Sequence, residues 1–448
     1  MGRLFGTDGV RGVAGVDLTA DLAMRLAAAA AAELGPPSPG SERPLAAVGR
    51  DPRPSGEFLE AAVVAGLLAA GVDVLRLGVI PTAAVAAALA APAAGSRCAT
   101  FGVMISASHN PMPDNGLKFF GAGGSKLDDA TEDVLEARLS QPGPAAVGAA
   151  VGRVVADLGG AVDWYVDRLL AGLPARADGL RIVVDCANGA AGRAAPAAYR
   201  AAGAEVVTIN DESDGYRIND GCGATHLDPL RQAVQAYGAA LGLAHDGDAD
   251  RCLAVDAAGN AIDGDQILAV LAVALKERGE LHGDAVAATV MSNLGFHRAM
   301  TAAGIRVAET QVGDRYVLER MRAEGLALGG EQSGHIVLAE HTTTGDGILT
   351  GLHLLARVVT TQRSLADLAG IVQRLPQILV NVAVADKEAA LATLLPLAEA
   401  ATADLGQEGR VLVRASGTER LIRVMVEAGT EQRARGLAES LAASVSSA

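Results

Sequence analysis

Three aspartates alternate in "HDGDADRC", residues 245 to 252: Asp246, Asp248 and Asp250. In an extended loop this spacing lets the carboxylates converge, and a hard divalent cation relieves their mutual repulsion. The loop is not an EF-hand, because Arg251 and Ala257 stand where that motif needs glycine and glutamate. Three oxygens leave an octahedral ion open, so a further ligand must come from substrate or another loop. Arg251, beside the acids, suits a phosphate oxygen. An acidic surface loop is the plain alternative, but the apolar flanks "LGLA" and "CLAVD" place the segment at an interior strand end.

A second candidate is "VMISASHNPMPDNGLKFF", residues 103 to 120. Its apolar run stops just before Ser108, so the hydroxyl sits where a strand ends, the usual place for reactive groups in α/β sheets. Serine is a poor nucleophile until a base, a metal or a phosphoryl group changes its chemistry. His109 is adjacent, and Lys118 supplies positive charge or a proton. No Gly-x-Ser-x-Gly elbow occurs, which speaks against a serine hydrolase. An ordinary Asn-Pro turn accounts for the same letters. The glycine-flanked "GGEQSGH", 329 to 335, offers Glu331 and Ser333 to sugar hydroxyls. "RASGTER", 414 to 420, joins Arg414, Ser416, Gly417 and Thr418 in an anion nest, with Arg423 adding charge. "GTDGVRG", 6 to 12, contributes Arg11 as a further phosphate contact. Neither a Walker loop nor Gly-x-Gly-x-x-Gly is present, so nucleotide hydrolysis and NAD have no support.

The elements that must position these groups read as stacked α/β units. "AAGVDVLRLG", "AAGAEVVTIN" and "AAGIRVAET" each end an alanine-rich helix at a glycine (Gly71, Gly203, Gly304) and begin a β-branched strand. Each is preceded by another strand and turn: "LAAVGRD", "LRIVVDCANG" and "DAVAATVMSN". Strand, helix, strand, three times, predicts a triplicated unit. The last stretch differs: strands at 409 to 414 and 420 to 427, a small-residue loop between them, and a helix from 431 to 445. The expected division is 1–152, 153–257, 258–373 and 374–448. The formal charge of −15 over 448 residues argues against nucleic acid or an anionic membrane as partner, and makes local cations essential for any phosphate ligand. The longest Leu/Val run, 268 to 275, is too short to span a bilayer, and no signal peptide is evident; a soluble cytoplasmic protein is expected.

These five motifs, in this order, resemble the α-D-phosphohexomutase superfamily, and "GEQSGH", "VGDRYVLE" and "DNGLKFF" are most similar to its glucosamine branch. The resemblance spans Gly6 to about Glu427 and implies three related α/β domains with mixed sheets and a C-terminal α+β phosphate-binding domain around a central cleft. It implies interconversion of glucosamine 6-phosphate and glucosamine 1-phosphate, feeding UDP-N-acetylglucosamine and cell-wall synthesis. By resemblance Ser108 is the phosphoserine, and its phosphate joins Asp246, Asp248 and Asp250 around one Mg2+. Arg11, Lys118 and Arg251 line the reacting centre, and Lys118 or His109 serves as acid or base. Glu331, Gln332, Ser333 and His335 hold the sugar; Arg414, Ser416, Gly417, Thr418 and Arg423 hold the idle phosphate. A sugar bisphosphate is the expected primer, and the chain is a monomer or homodimer. Mannose and glucose mutases usually carry methionine where Gln332 stands. Two departures are Ala249, in place of a glycine, and Arg420, in place of a proline. The alternatives are a phosphomannomutase/phosphoglucomutase, a metal-dependent sugar phosphatase, and an inactive sugar-phosphate-binding protein.

Overall fold

The computed structural model describes residues 3–6, 8–35, 42–91, 97–140, 143, 145–157, 160–416 and 420–446. Four sheets carry the chain. The first holds β1 (Val10–Val13), β2 (Leu45–Arg50), β3 (Asp73–Val79), β4 (Phe101–Ile105), β5 (Asp114–Phe120) and β6 (Val154–Asp157), in the order β1-β5-β4-β2-β3-β6. The second holds β7 (Arg181–Asp185), β8 (Glu205–Ile209), β9 (Leu241–Ala244), β10 (Leu253–Asp256) and β11 (Ala261–Ile262), in the order β11-β10-β9-β7-β8. The third holds β12 (Ala285–Thr289), β13 (Arg306–Thr310), β14 (Leu328–Gly330) and β15 (Ile336–Leu338), in the order β13-β12-β14-β15.

The triplication lies in the connectivity. In each sheet a leading strand (β2, β7 or β12) pairs in parallel with the strand after it on one side. It pairs in parallel with a third strand (β4, β9 or β14) on the other. That third strand then turns back antiparallel into a fourth, β5, β10 or β15. Parallel neighbours require crossovers, and the alanine-rich helices supply them. The three glycines read as helix stops have φ of 84°, 102° and 65°, the left-handed region a side chain disfavours. Alanine packs these helices close: in the first domain Leu26, Ala27, Ala30, Leu59, Val63 and Leu67 are all fully buried against Val48, Phe101 and Val103.

The expected boundaries meet two strands on their far side. β6 begins after residue 152 yet pairs with β3 in the first sheet, and β11 follows residue 257 yet pairs with β10 in the second. The run 268 to 275 lies in a buried helix, Gly264–Glu277, and no helix among the described residues is long and apolar enough to cross a membrane.

Residues 1–290 and 306–369 form one compact unit; residues 291–305 and 370–448 form a second. The second unit contains the fourth sheet: β16 (Gln377–Ala383), β17 (Arg410–Ala415) and β18 (Leu421–Glu427), all antiparallel with β18 central. Helices Lys387–Leu405 and Glu431–Ser446 complete it around Leu394, Ile422, Val424 and Val426. The strand–loop–strand–helix expected at the end of the chain is present; β16 was not expected. Its side of the sheet is tied to residues 291–305 by Asn293, which donates to Leu375 O at 3.0 Å and accepts from Leu375 N at 3.0 Å.

Candidate active site

The equivalent turn of each repeat, between its third and fourth strands, carries a different set of chemical groups. The first turn holds Ser108, the second Asp246, Asp248 and Asp250, the third Glu331, Gln332, Ser333 and His335. All three lie in the first unit. Ser108 is 1% exposed with φ 51°, and its hydroxyl donates to Asp246 Oδ2 at 2.5 Å. His109 Nδ1 lies 3.3 Å from the same Oγ. The second and third turns meet directly: Cys252 N donates to Gly334 O at 3.0 Å, and Arg251 bridges to His335 through the backbone.

The aspartates are buried with at most 3% exposure, and an oxygen from each lies within 4.8 Å of the others. Burial, then Asp250 and Asp248, pushes Asp246 up to about 8. Burial also acts to raise Asp250, but Lys118, His335 and Arg251 outweigh it and leave that acid lowered. Asp248 Oδ1 and Asp250 Oδ1 are buried without a hydrogen-bond partner among the described residues. An all-oxygen set with mutual repulsion and unmatched acceptors has the chemistry to hold a hard divalent cation. His245 closes the base of this loop, its Nδ1 3.0 Å from Arg251 O and its Nε2 3.0 Å from the Tyr199 hydroxyl. Ala249 takes the position of the expected glycine with φ 59°, and its methyl is fully buried, so the side chain fits at the expense of a left-handed backbone.

Cations surround the acids. Lys118, on β5, lies 2.7 Å from Asp248, 2.8 Å from Asp8 and 3.4 Å from Asp250. Burial works against its charge, yet Asp248, Asp8 and Asp250 outweigh burial and hold it well above the usual lysine value. Arg11, on β1, is 2.5 Å from Asp8. Arg251 Nε lies 4.0 Å from Asp246 and 3.9 Å from Asp250. His109 is lowered to about 4 by burial, Arg251 and Arg11, so its imidazole is neutral at pH 7. Glu331 is raised by burial and accepts from Gly313 N at 3.1 Å. Ser333 Oγ is buried without a hydrogen-bond partner among the described residues, and His335 Nε2 lies 3.4 Å from Asp314.

In the second unit β17 and β18 set Arg414 directly opposite Arg423. Like charges so placed repel, and burial and Arg423 lower Arg414. Ser416 is buried, and its carbonyl accepts from Lys387 Nζ at 2.9 Å. Gly417 and Thr418 lie outside the described residues.

Several residues of the first unit escaped sequence reading. Asp8 joins Arg11, Lys118 and Lys126; Lys126 also pairs with Asp314. Thr82 donates to Asp248 at 2.6 Å. Arg53 and Asn219 hold the Ser108 carbonyl, and Asp51 accepts from Arg53 and from the Ser106 hydroxyl. Only "GTDG" and "GRDPR", with charges beside strand ends, carried any signal of these roles.

Models of the phosphoglucomutase/phosphomannomutase family match nearly the whole chain: alpha/beta/alpha domain I at 2–144, domain II at 149–259, domain III at 263–375 and the C-terminal domain at 379–444. The chain belongs to this family, within the α-D-phosphohexomutase superfamily. Among its relatives it is 60% identical over 456 residues to the phosphoglucosamine mutase of Frankia alni, covering 100% of this chain and 99% of that one. It is 59% identical over 461 residues to the phosphoglucosamine mutase of Streptomyces griseus, with both chains fully covered. Among solved structures, a phosphoglucomutase/phosphomannomutase family protein from Burkholderia thailandensis shares 25% identity at a TM-score of 0.85, covering 99% of this chain and 97% of that one.

Proposed function

We propose that this isomerase interconverts glucosamine 6-phosphate and glucosamine 1-phosphate by way of a phosphoserine at Ser108 and a sugar bisphosphate. The observation that carries the reading is the convergence of the three equivalent turns, with the Ser108 hydroxyl 2.5 Å from Asp246. A phosphorylated Ser108 transfers its phosphoryl group to the free hydroxyl of the sugar phosphate: the serine O–P bond breaks as a sugar O–P bond forms. The sugar hydroxyl loses its proton in that step. The bisphosphate then reverses end for end and returns its other phosphoryl group to Ser108. Glu331, Gln332, Ser333 and His335 hold the sugar hydroxyls in both orientations; Arg414, Ser416, Gly417, Thr418 and Arg423 hold whichever phosphate is idle.

Asp246, Asp248 and Asp250, with the Ser108 phosphate, would hold Mg2+, which would supply positive charge against the transferring phosphoryl group. Phosphoryl transfer depends on in-line placement and charge neutralisation more than on covalent help. Arg11, Lys118 and Arg251 supply that charge. Asp248, Asp8 and Asp250 outweigh burial and hold Lys118 above the usual lysine value. His109 Nδ1 lies 3.3 Å from the Ser108 hydroxyl. Lys118 or His109 serves as acid or base in the transfer. A trace of hexose bisphosphate primes the first phosphorylation, and the reaction belongs in the cytoplasm.

The test compares turnover of glucosamine, glucose and mannose 6-phosphates with Mg2+ and trace hexose bisphosphate, while free phosphate is monitored. The reading expects isomerisation fastest with glucosamine and little phosphate release. Faster mannose or glucose conversion transfers the reading to the sister mutases; phosphate release without isomerisation makes the site a phosphatase.

A further inference from the structure

The peptide groups on either side of Ser108 Cα are both hydrogen-bonded, the carbonyl by side chains from outside its turn. Its N–H donates to Ser106 Oγ at 2.9 Å, and Ser106 donates in turn to Asp51 Oδ2 at 2.6 Å. Its carbonyl accepts from Arg53 Nη2 and from Asn219 Nδ2, each at 2.9 Å. The same two groups also hold the Asn110 carbonyl, at 2.8 and 3.1 Å. Arg53 donates further to Asp114 O at 3.1 Å and to Pro111 O. Its guanidinium is fully buried, and its only carboxylate partner among the described residues is Asp51, at 2.9 Å. A buried arginine directed at four carbonyls of one turn is a costly arrangement unless the turn's shape matters.

The shape is unusual. Ser108 has φ 51°, a region in which a serine is disfavoured and persists only when its surroundings enforce it. Asn219 comes from the second domain and reaches the turn beside Gly247, whose glycine is itself required. A Cβ there would lie 2.5 Å from Ser108 O and 2.9 Å from Asn219 Nδ2. The clamp thus fixes the Ser108 turn against the loop of the metal-site aspartates.

We infer that Arg53 and Asn219 are positioning residues, a two-armed clamp that holds Ser108 in its left-handed conformation with Oγ directed at Asp246. The inference rests on the reading of Ser108 as the phosphoryl carrier. Both residues act through backbone carbonyls, so their contribution is to alignment, to which phosphoryl transfer is sensitive.

The experiment labels Ser108 from an isotopically tagged hexose bisphosphate and follows, in a single turnover, discharge of the label to glucosamine 6-phosphate. Asn219→Gly removes the side-chain donor while the backbone, at φ 58°, already suits glycine. Arg53→Lys keeps the charge and loses the fork. Discharge per labelled Ser108 should slow roughly 10- to 100-fold in both, with KM for the sugar phosphate within about threefold of the parent. A purely structural role lowers the fraction of enzyme that labels but leaves the rate per label unchanged. A rate per label within about twofold of the parent overturns the inference. Should Arg53→Lys fail to fold, Asn219→Gly decides alone. Failure of the parent protein to label at Ser108 overturns the phosphoserine reading instead.

Discussion

At the scale of single residues, chemistry depends on groups whose neighbours set their charge. Ser108→Ala removes the proposed carrier, and mutase turnover should fall at least about 10³-fold while the phosphate adduct disappears from the intact mass. Asp248→Asn weakens the metal site and also deprives Lys118 of its 2.7 Å partner, so activity should fall and added Mg2+ should restore only part of it. Full activity of this variant at unchanged metal demand would remove Asp248 from the site. A buried histidine away from the reaction gives a pH prediction. Burial, the neighbouring His341 and Arg278 lower His353 to about 3, and its Nε2 has no hydrogen-bond partner among the described residues. The folded protein keeps it neutral while the unfolded chain protonates it below about 6.5, so its stabilising contribution is lost as pH falls from there toward 3. The loss is about 1.4 kcal/mol per pH unit in that window. His353→Leu should flatten the acid side of the melting-temperature profile; an unchanged slope refutes the assignment. The reactive letters were legible in the sequence because serine, aspartates and arginines stood at strand ends. Arg53 and Asn219 were not, because their meaning lies in carbonyls more than fifty residues away along the chain.

At the scale of elements, one design is used three times. A parallel strand turns into an antiparallel partner, and the turn between them carries Ser108, the three aspartates, or the Glu331–His335 groups proposed to hold the sugar. The Ala-Ala-Gly stops made the repeat readable before any coordinates, since helix C-termini and β-branched strands are local signals. The equivalence of the three turns was not readable, because it depends on which strands pair. β6 and β11 are hidden for the same reason, and β16 because "QILVNVA", with Ile378, Leu379 and Val380 in a row, does not alternate as a half-buried strand does. The turns also fit against one another. Gly334 has φ 90°, and a Cβ there would lie 2.5 Å from Cys252 O. Gly334→Ala should therefore separate the sugar turn from the aspartate loop. The expected result is a several-fold rise in KM for glucosamine 6-phosphate and a stability loss of roughly 1–3 kcal/mol, checked by steady-state kinetics and denaturant unfolding. Unchanged KM would show that the two turns work independently.

At the scale of the whole molecule, a chain of formal charge −15 needs local cations to hold a phosphate group under the proposed function. The first unit gathers Arg11, Lys118 and Arg251 near its aspartates; the second sets Arg414 opposite Arg423. Arg414→Ala should raise KM by about 10-fold or more while relieving cross-strand repulsion, so its melting temperature should hold or rise. A lower melting temperature with unchanged KM would make Arg414 structural. Gln332→Met addresses which sugar is taken: a shift from glucosamine toward glucose or mannose phosphate is expected, and an unmoved preference sinks that role. The central claim is that one serine oxygen shuttles a phosphoryl group to and from an amino sugar. Its most direct measurement is peptide mapping of protein labelled from a tagged hexose bisphosphate, followed by a chase with unlabelled glucosamine 6-phosphate. The label should lie on the peptide containing Ser108 and leave on the sugar; label on another residue, or loss only to water, would contradict the account.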